Sequence, residues 1–300
     1  MQHAVIDIGS NSMRLTIYEV ENTNFKILFK DKIMAGLASY VENGYISEDG
    51  IRCAYESLLE FKNTLTLLGI CENIHVFATA SLRNIVNTEE AVAKITAETG
   101  FHIDVITGEE ETLLGYSGVM HDIAVESGAF ADIGGASTEI AVFSNKSVLF
   151  SKSFHVGSLK LYRDCVKKIL PGNGSVKRIK EAIHAQLPHR IFDGFVPQEQ
   201  LVATGGTARS VLKFAKHLGL VPEDSRIVLA DHMKAIADLF FNDEDAAADA
   251  ILKVDPERIH TIIPGFMILR YIAEQFEARE IVVSNYGVRE GYLCQKVLTT

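Results

Sequence analysis

Four cysteines, Cys53, Cys71, Cys165 and Cys294, are scattered over 300 residues with no C-x-x-C pair. That spacing excludes a zinc knuckle and a disulfide framework, and free thiols buried in apolar surroundings are expected. Long apolar runs are lacking too: charges interrupt each one well short of the ~20 residues a membrane-spanning helix needs. The N-terminus shows no basic region followed by an apolar block, so a soluble, cytoplasmic chain with no membrane partner is expected. Basic charge is also scarce. Lys and Arg number 29 against 39 Asp and Glu, for a net charge of −10, and no run of Lys or Arg occurs. A general binder of nucleic-acid duplexes needs a basic footprint and is excluded. Such an acidic chain takes a polyanion only where a few cations and a metal are focused in one cleft.

What is present is apolar content and a repeat. With 47% hydrophobic residues the chain can bury a large core, and its length favours two domains over one. The stretch ADIGGASTEIAVF, from Ala131 to Phe143, copies the pattern of AVIDIGSNSMRLTIY, from Ala4 to Tyr18. Laying Asp132 on Asp7 places Ile133 on Ile8, Gly134 on Gly9, Ser137 on Ser12 and Ile140 on Leu15, an offset of 125 residues. Strand patterning marks Ala4–Ile8, Leu15–Val20 and Phe25–Phe29. A helix follows with Ile51, Tyr55, Leu58, Leu59 and Leu65 at helical spacing, stopped by Gly69. IHVFAT, the capped TEEAVAKITAETG and HIDVI complete a βββαβαβ order. After Gly128 the order restarts with a hairpin from Phe130 to Phe143, a strand over Val148–Phe154 and helical segments. QLVATGG then enters a glycine turn feeding the helix ARSVLKFAKHLG, Val282 and Val283 form a last strand, and GVREGYLCQKVL reads as an amphipathic terminal helix. The fold class is therefore α/β: two similar domains, residues 1–124 and 125–287, with the segment 288–300 packing back on the first. Their matching turns are expected to face each other across a central cleft.

Each repeated loop places an Asp at a strand end, then Gly and small hydroxyl or amide residues. Such a turn exposes backbone N–H groups and hydroxyls that donate to phosphate oxygens, and its Asp suits Mg²⁺. The same residue types serve any tight turn. Two copies at equivalent places in two similar halves favour the functional reading. Phosphate contacts are expected from Ser10, Asn11 and Ser12, from Gly134, Gly135, Ser137 and Thr138, and from Gly205, Gly206 and Thr207 of the TGGT turn. In the run Glu109-Glu110-Glu111, Thr107 with Glu110 reads as a capping box, and acids in a first turn complement the helix dipole. Successive helical residues point about 100° apart, so at most one of the three serves the site.

The motifs DIGSNSMRL, ATASLRNIVN, ITGEEETLLGYSGV, ADIGGASTEIAVF, ATGGTARSVLKFA, IIPGFMIL and SNYGVREGYL occur in one order over essentially all 300 residues. In this the chain resembles the short members of the exopolyphosphatase and guanosine-pentaphosphatase family, within the actin, sugar-kinase and heat-shock ATPase superfamily. The resemblance implies two ribonuclease-H-like (actin-like ATPase) domains and Mg²⁺-assisted release of a terminal phosphate. The substrate it implies is inorganic polyphosphate or guanosine pentaphosphate. Residue by residue it puts the catalytic glutamate on Glu111, metal ligands on Asp132 and Glu139 with Asp7 a weaker third, and a substrate-channel arginine on Arg83. Two positions depart from the family pattern: Ala136 stands where a third glycine is common, and Met34 where an arginine is usual. They keep a non-catalytic sensor of an alarmone or polyphosphate as one rival; a kinase or ATPase of the superfamily is the other. Homodimerisation stays open.

Overall fold

Apolar alternation from the start of the chain builds the first sheet. In the computed structural model, which describes residues 1–22 and 24–298, β1 (Gln2–Ile8), β2 (Met13–Glu21) and β3 (Asn24–Ile33) form an antiparallel meander. A two-stranded hairpin follows, β4 (Val41–Glu42) with β5 (Tyr45–Ile46). Helix α1 (Glu48–Leu67) starts at Ser47, whose hydroxyl accepts from the Gly50 amide, satisfying one of the unpaired N–H groups at a helix start. Its buried stripe is Ile51, Ala54, Leu58, Phe61 and Leu65, a 3.6-residue period facing the sheet. Leu59, expected on that face, lies on the other side and is exposed. Strand β6 (Ile74–Ala78), the short α2 (Ala80–Arg83), α3 (Thr88–Thr99) and β7 (Ile103–Val105) follow, and the sheet order is β3-β2-β1-β6-β7 with the last three parallel.

Helix α4 (Gly108–Met120) leads to the second sheet. Strands β8 (Gly128–Ile133), β9 (Thr138–Ser144) and β10 (Ser147–Phe154) repeat the meander, and α5 (Ser158–Cys165) and α6 (Asn173–Gln186) follow. Then come β11 (Gln200–Thr204), α7 (Gly205–His217), β12 (Ile227–Leu229), α8 (His232–Phe241), α9 (Glu244–Val254), α10 (Ile262–Gln275) and β13 (Glu280–Val283). The order is β10-β9-β8-β11-β13-β12, so its first five strands reproduce the first sheet with β12 added antiparallel at the edge. The chain divides into two compact units, Met1–Glu111 with Gly291–Thr300, and Thr112–Glu290. Each has its own core: Ile6, Ile8, Met13 and Leu15 against Leu58 and Phe61 in the first, Ile133, Ile140 and Val142 with Val211, Phe214 and Phe266 in the second. Among the described residues no helix is long and apolar enough to cross a membrane.

Four details differ from the sequence reading. Strand β3 runs on to Ile33 because Lys26, Lys30 and Lys32 give this edge strand a polar face that masks its alternation. The hairpin at residues 41–46 turns on Asn43 and Gly44, both with positive φ (51° and 83°), an Asn-Gly pair that favours a tight hairpin. The terminal segment is α-helical only over α11 (Val288–Tyr292) and continues as a π-type turn over Leu293–Val297. The thiols are also not uniformly buried: Cys165 and Cys294 are, Cys53 is intermediate, and Cys71 is exposed in the turn before β6.

Within the first unit the terminal segment is tied down by three contacts. Tyr292 stacks on Phe77 at 4.7 Å and its hydroxyl donates to Asp104 at 3.1 Å, while Lys296 Nζ donates to Glu110 Oε1 at 2.9 Å. The Lys296 bond, then the Thr107 amide, hold the Glu110 carboxyl at about 2. A depressed carboxylate stabilises the fold fully above its ordinary range near 4.5 and loses that contribution as pH falls toward about 2. Glu110→Gln should therefore lower stability at pH 7 by at most about 1 kcal/mol, because both side chains of the ion pair are 40% exposed. Melting curves of both proteins across pH should converge on acidification; a gap that widens at low pH would contradict the assignment.

Candidate active site

In the first unit the strands that flank the β1–β2 turn set opposite charges on facing positions. Asp7 pairs across the strands with Arg14, whose Nε donates to Ser12 Oγ at 3.2 Å. The turn is held from outside: the Gly36 amide donates to Asn11 O and the Ala38 amide to Ser10 O, both at 3.0 Å. Ser10 and Ser12 are nearly buried and Asn11 is intermediate. Beneath them, Ser81 Oγ donates to Ile8 O, fixing α2 on the end of β1. The side chain of Arg83, at the end of α2, reaches Glu111 Oε2 at 2.7 Å and the Ile106 carbonyl at 3.1 Å. The α4 capping box is present: Thr107 Oγ1 accepts from the Glu110 amide and Glu110 Oε2 from the Thr107 amide. Glu109 points to solvent, whereas Glu111 and Arg83 are only 12% and 14% exposed. The three acids thus separate into one exposed, one capping and one paired with an arginine.

The β8–β9 turn of the second unit has the same register with the opposite electrostatics. Asp132 pairs with Glu139 and Ile133 with Thr138, as Asp7 does with Arg14 and Ile8 with Met13. Directly opposed side chains have Cβ atoms roughly 4.5–5.5 Å apart, and like charges there are destabilising. Glu139 is 2% exposed, and its Oε1 accepts from Ser153 Oγ at 2.8 Å. The α5 N-terminus holds the turn, with Ser158 N and Oγ on Gly134 O and the Leu159 and Lys160 amides on Gly135 O.

Near Asp132 lie cations that the sequence reading did not single out, although Arg209 stands inside ATGGTARSVLKFA and Arg289 inside SNYGVREGYL. Burial pulls the Arg209 guanidinium down to about 10, with Arg289 and Arg258 repelling it and Asp132 opposing the shift. Burial likewise lowers Arg258, against Asp255, Glu257 and Asp132. Groups of one sign held out of water need an anion nearby. The glycines of the TGGT turn make room for this arrangement. Gly205 has φ +82°, and a Cβ on it would run into Asp132 Oδ1; a Cβ on Gly206 would meet the Arg258 guanidinium. Behind the turn, Thr204 Oγ1 donates to Tyr286 O at 2.6 Å. The 284–286 segment is itself tethered to Asp122, which accepts from Ser284 Oγ and the Asn285 amide, both at 2.8 Å, and pairs with Arg226 at 2.9 Å.

The sequence-derived residues therefore fall into two sets. Asp7, Ser10, Asn11, Ser12, Arg83 and Glu111 gather in the first unit, and Asp132, Gly134, Gly135, Ser137, Thr138, Glu139, Gly205, Gly206 and Thr207 in the second. Two hydroxyls expected on phosphate are turned inward. Thr138 has no exposed surface and its Oγ1 donates to Val156 O at 2.6 Å, and Thr207 is 1% exposed with Oγ1 near Ile133 O at 3.4 Å. Both anchor their turns from beneath. Among the described residues no group of three or more His, Cys, Asp or Glu converges. Asp132 and Glu139 offer a hard two-carboxylate donor set, which fits a cation such as Mg²⁺ that takes its other ligands from water and phosphate.

A family model described as the Ppx/GppA phosphatase family matches residues 16–300. The chain is 26% identical, over 94% of its length, to a bifunctional 3-dehydroquinate synthase/phosphatase of Fusobacterium nucleatum, and spans 44% of that protein. It is 22% identical to a putative exopolyphosphatase of Haemophilus influenzae, covering 97% of this chain and 90% of the relative. The crystal structure of the Aquifex aeolicus member of the Ppx/GppA family superposes with a TM-score of 0.79 at 27% identity, over 100% of this chain and 98% of that one.

The two demands on Gly205 can be separated from backbone strain alone. Gly219 also has positive φ (+67°) but nothing lies within 4 Å of a Cβ there. Gly219→Ala should cost about 1 kcal/mol of left-handed strain. Gly205→Ala should cost clearly more in chemical denaturation, since its methyl also displaces the Asp132 carboxylate. Equal losses would show that Asp132 moves aside freely.

Proposed function

Because the chain belongs to the Ppx/GppA phosphatase family, we propose that it hydrolyses the terminal phosphoanhydride of inorganic polyphosphate or of guanosine pentaphosphate in the cytoplasm. The observation that carries this reading is the charge pattern around Asp132: it faces Glu139 across the strands, and its charge supports the buried Arg209 and Arg258, with the Arg258 guanidinium seated at Gly206 beside it. Such a constellation accommodates a phosphate chain together with a divalent cation, within a protein whose net charge is −10. The relatives' names, which speak of phosphatases and an exopolyphosphatase, support it.

In this reading the arginines and turn amides bind the non-bridging phosphate oxygens and fix the chain end. Asp132 and Glu139 would hold Mg²⁺, with Asp7 a weaker third; when bound, the ion would neutralise phosphate charge and favour departure of the leaving oxygen. Glu111 orients a water toward the terminal phosphorus and takes its proton as the new P–O bond forms. Water as acceptor sets this reaction apart from that of a kinase.

Phosphate release from polyphosphate, guanosine pentaphosphate and ATP, assayed in parallel with Mg²⁺, is the direct test. Release from either of the first two is expected. Asp132→Ala should lower it by orders of magnitude and flatten its Mg²⁺ dependence, and Glu111→Gln should retain ligand binding while losing most turnover. Ligand binding without phosphate release in the unaltered protein would instead identify a sensor.

A further inference from the structure

Helix α6 carries none of the sequence motifs, yet with α10 and the end of α8 it encloses a cavity of about 400 Å³ inside the second unit. The spacing of the lining residues explains how. Val176, Lys180, Ile183 and His184 recur three or four apart and so share one face of α6. On α10 the matching face runs from Phe266 through Arg270 to Glu274, and Phe241, the last residue of α8, adds a further ring. The cavity is separate from the turns around Asp132. Helix α10 meets Thr207 and Ser158 at Gly265, before its cavity face begins at Phe266.

Its inner wall is apolar and largely aromatic. Ile183, Phe266, Met267 and Tyr271 are all buried. Tyr271 contributes its ring alone, because its hydroxyl donates to the Leu187 carbonyl at 2.7 Å. The His184 ring stands edge-on to it, with centroids 4.8 Å apart at 68°. Rings set at such angles take a planar group in offset or edge-to-face contact, and the flexible Met267 adapts around it. The rim is charged instead. Arg270 Nε donates to Glu274 Oε1 at 2.7 Å, so those two groups answer each other. Lys180 has no ion-pair or hydrogen-bond partner among the described residues. Its stem can lie along the apolar wall while the ammonium stays at the mouth, which leaves one positive charge for a ligand to meet.

We propose that this cavity is a second binding site, for a small aromatic anion: a planar ring system enters the slot between α6 and α10, and its carboxylate or sulfonate meets Lys180 Nζ at the mouth. Size and lining suit that class. Cavities of roughly 300–1,000 Å³ with apolar walls and a few placed polar groups are the usual form of small-molecule sites. An aromatic cation would meet Lys180 and Arg270 with like charge. A bare phosphate chain would leave the aromatic wall uncovered. The inference stands apart from the hydrolase reading, and its test needs no turnover.

The test is fluorescence titration of the full chain with two probes: anilinonaphthalene sulfonate, an aromatic anion, and N-phenylnaphthylamine, the same ring body without the sulfonate. The variants are Lys180→Gln and Val176→Trp, each checked for a native melting temperature. Asn173→Trp, exposed at the start of α6 and also on the cavity lining, replaces Val176→Trp if that variant fails to fold. The sulfonate should saturate a single site. Lys180→Gln should weaken it by at least about tenfold, the scale of a lost charge-assisted hydrogen bond, and leave the affinity of the neutral probe unchanged. The tryptophan should fill the slot and exclude both probes. Inorganic tripolyphosphate, whose place is at the turns around Asp132, should not displace the sulfonate. Absence of saturable binding, binding that the tryptophan leaves intact, or displacement by tripolyphosphate would overturn the site. Equal responses of the two probes to Lys180→Gln would overturn it as well, since the cavity would then recognise apolar bulk and no anion.

Discussion

Asp132 and Glu139 stand opposite each other on adjacent strands, and two carboxylates so placed repel. Much of the second unit can be understood as an answer to that repulsion. Ser153 donates to the buried Glu139, Gly205 yields the space that the Asp132 carboxylate occupies, and Gly206 leaves room for the Arg258 guanidinium. Burial lowers the pKa values of Arg209 and Arg258, and Asp132 opposes the shift in both. The equivalent turn of the first unit needs no such answer, since Arg14 faces Asp7 there. One backbone device is thus used twice, with opposite charges on facing positions in the first unit and like charges in the second.

The repeat was legible in sequence because it is local. Loop residues at an offset of 125 imply equal turns, and equal turns on equal hairpins imply equal sheets, as the two strand orders bear out. The capping role of Glu110 was legible for the same reason, three residues from Thr107. The arginine cluster was not. Arg209, Arg258 and Arg289 are spread over 80 residues of chain on separate elements, and no periodicity links them until parallel pairing brings β8, β11 and β13 side by side. The inward turn of Thr138 was hidden too, because a threonine at a loop end reads alike whether its hydroxyl meets a ligand or a carbonyl behind it.

Long-range polar contacts fix the turns that local sequence leaves undetermined. Asp122 lies 162 residues before Ser284, yet it accepts from Ser284 and from the next amide, and Tyr286 in turn receives Thr204. Burial alone would raise the Asp122 pKa; Arg226, the Asn285 amide and Ser284 together lower it, so the tether stays ionised. Each member of this chain is individually ordinary. Together they set the height of the TGGT turn against Asp132.

The uneven burial of the thiols has a practical side. Cys71 is exposed while Cys165 and Cys294 are buried and Cys53 is intermediate, its Sγ on the Ala35 carbonyl. A maleimide dye added briefly at neutral pH would therefore settle on Cys71 first. That position lies just upstream of β6, the strand that leads directly into the segment bearing Arg83. Fluorescence from such a label would report on the environment of the first unit while leaving every side chain around Asp132 in its native chemical form.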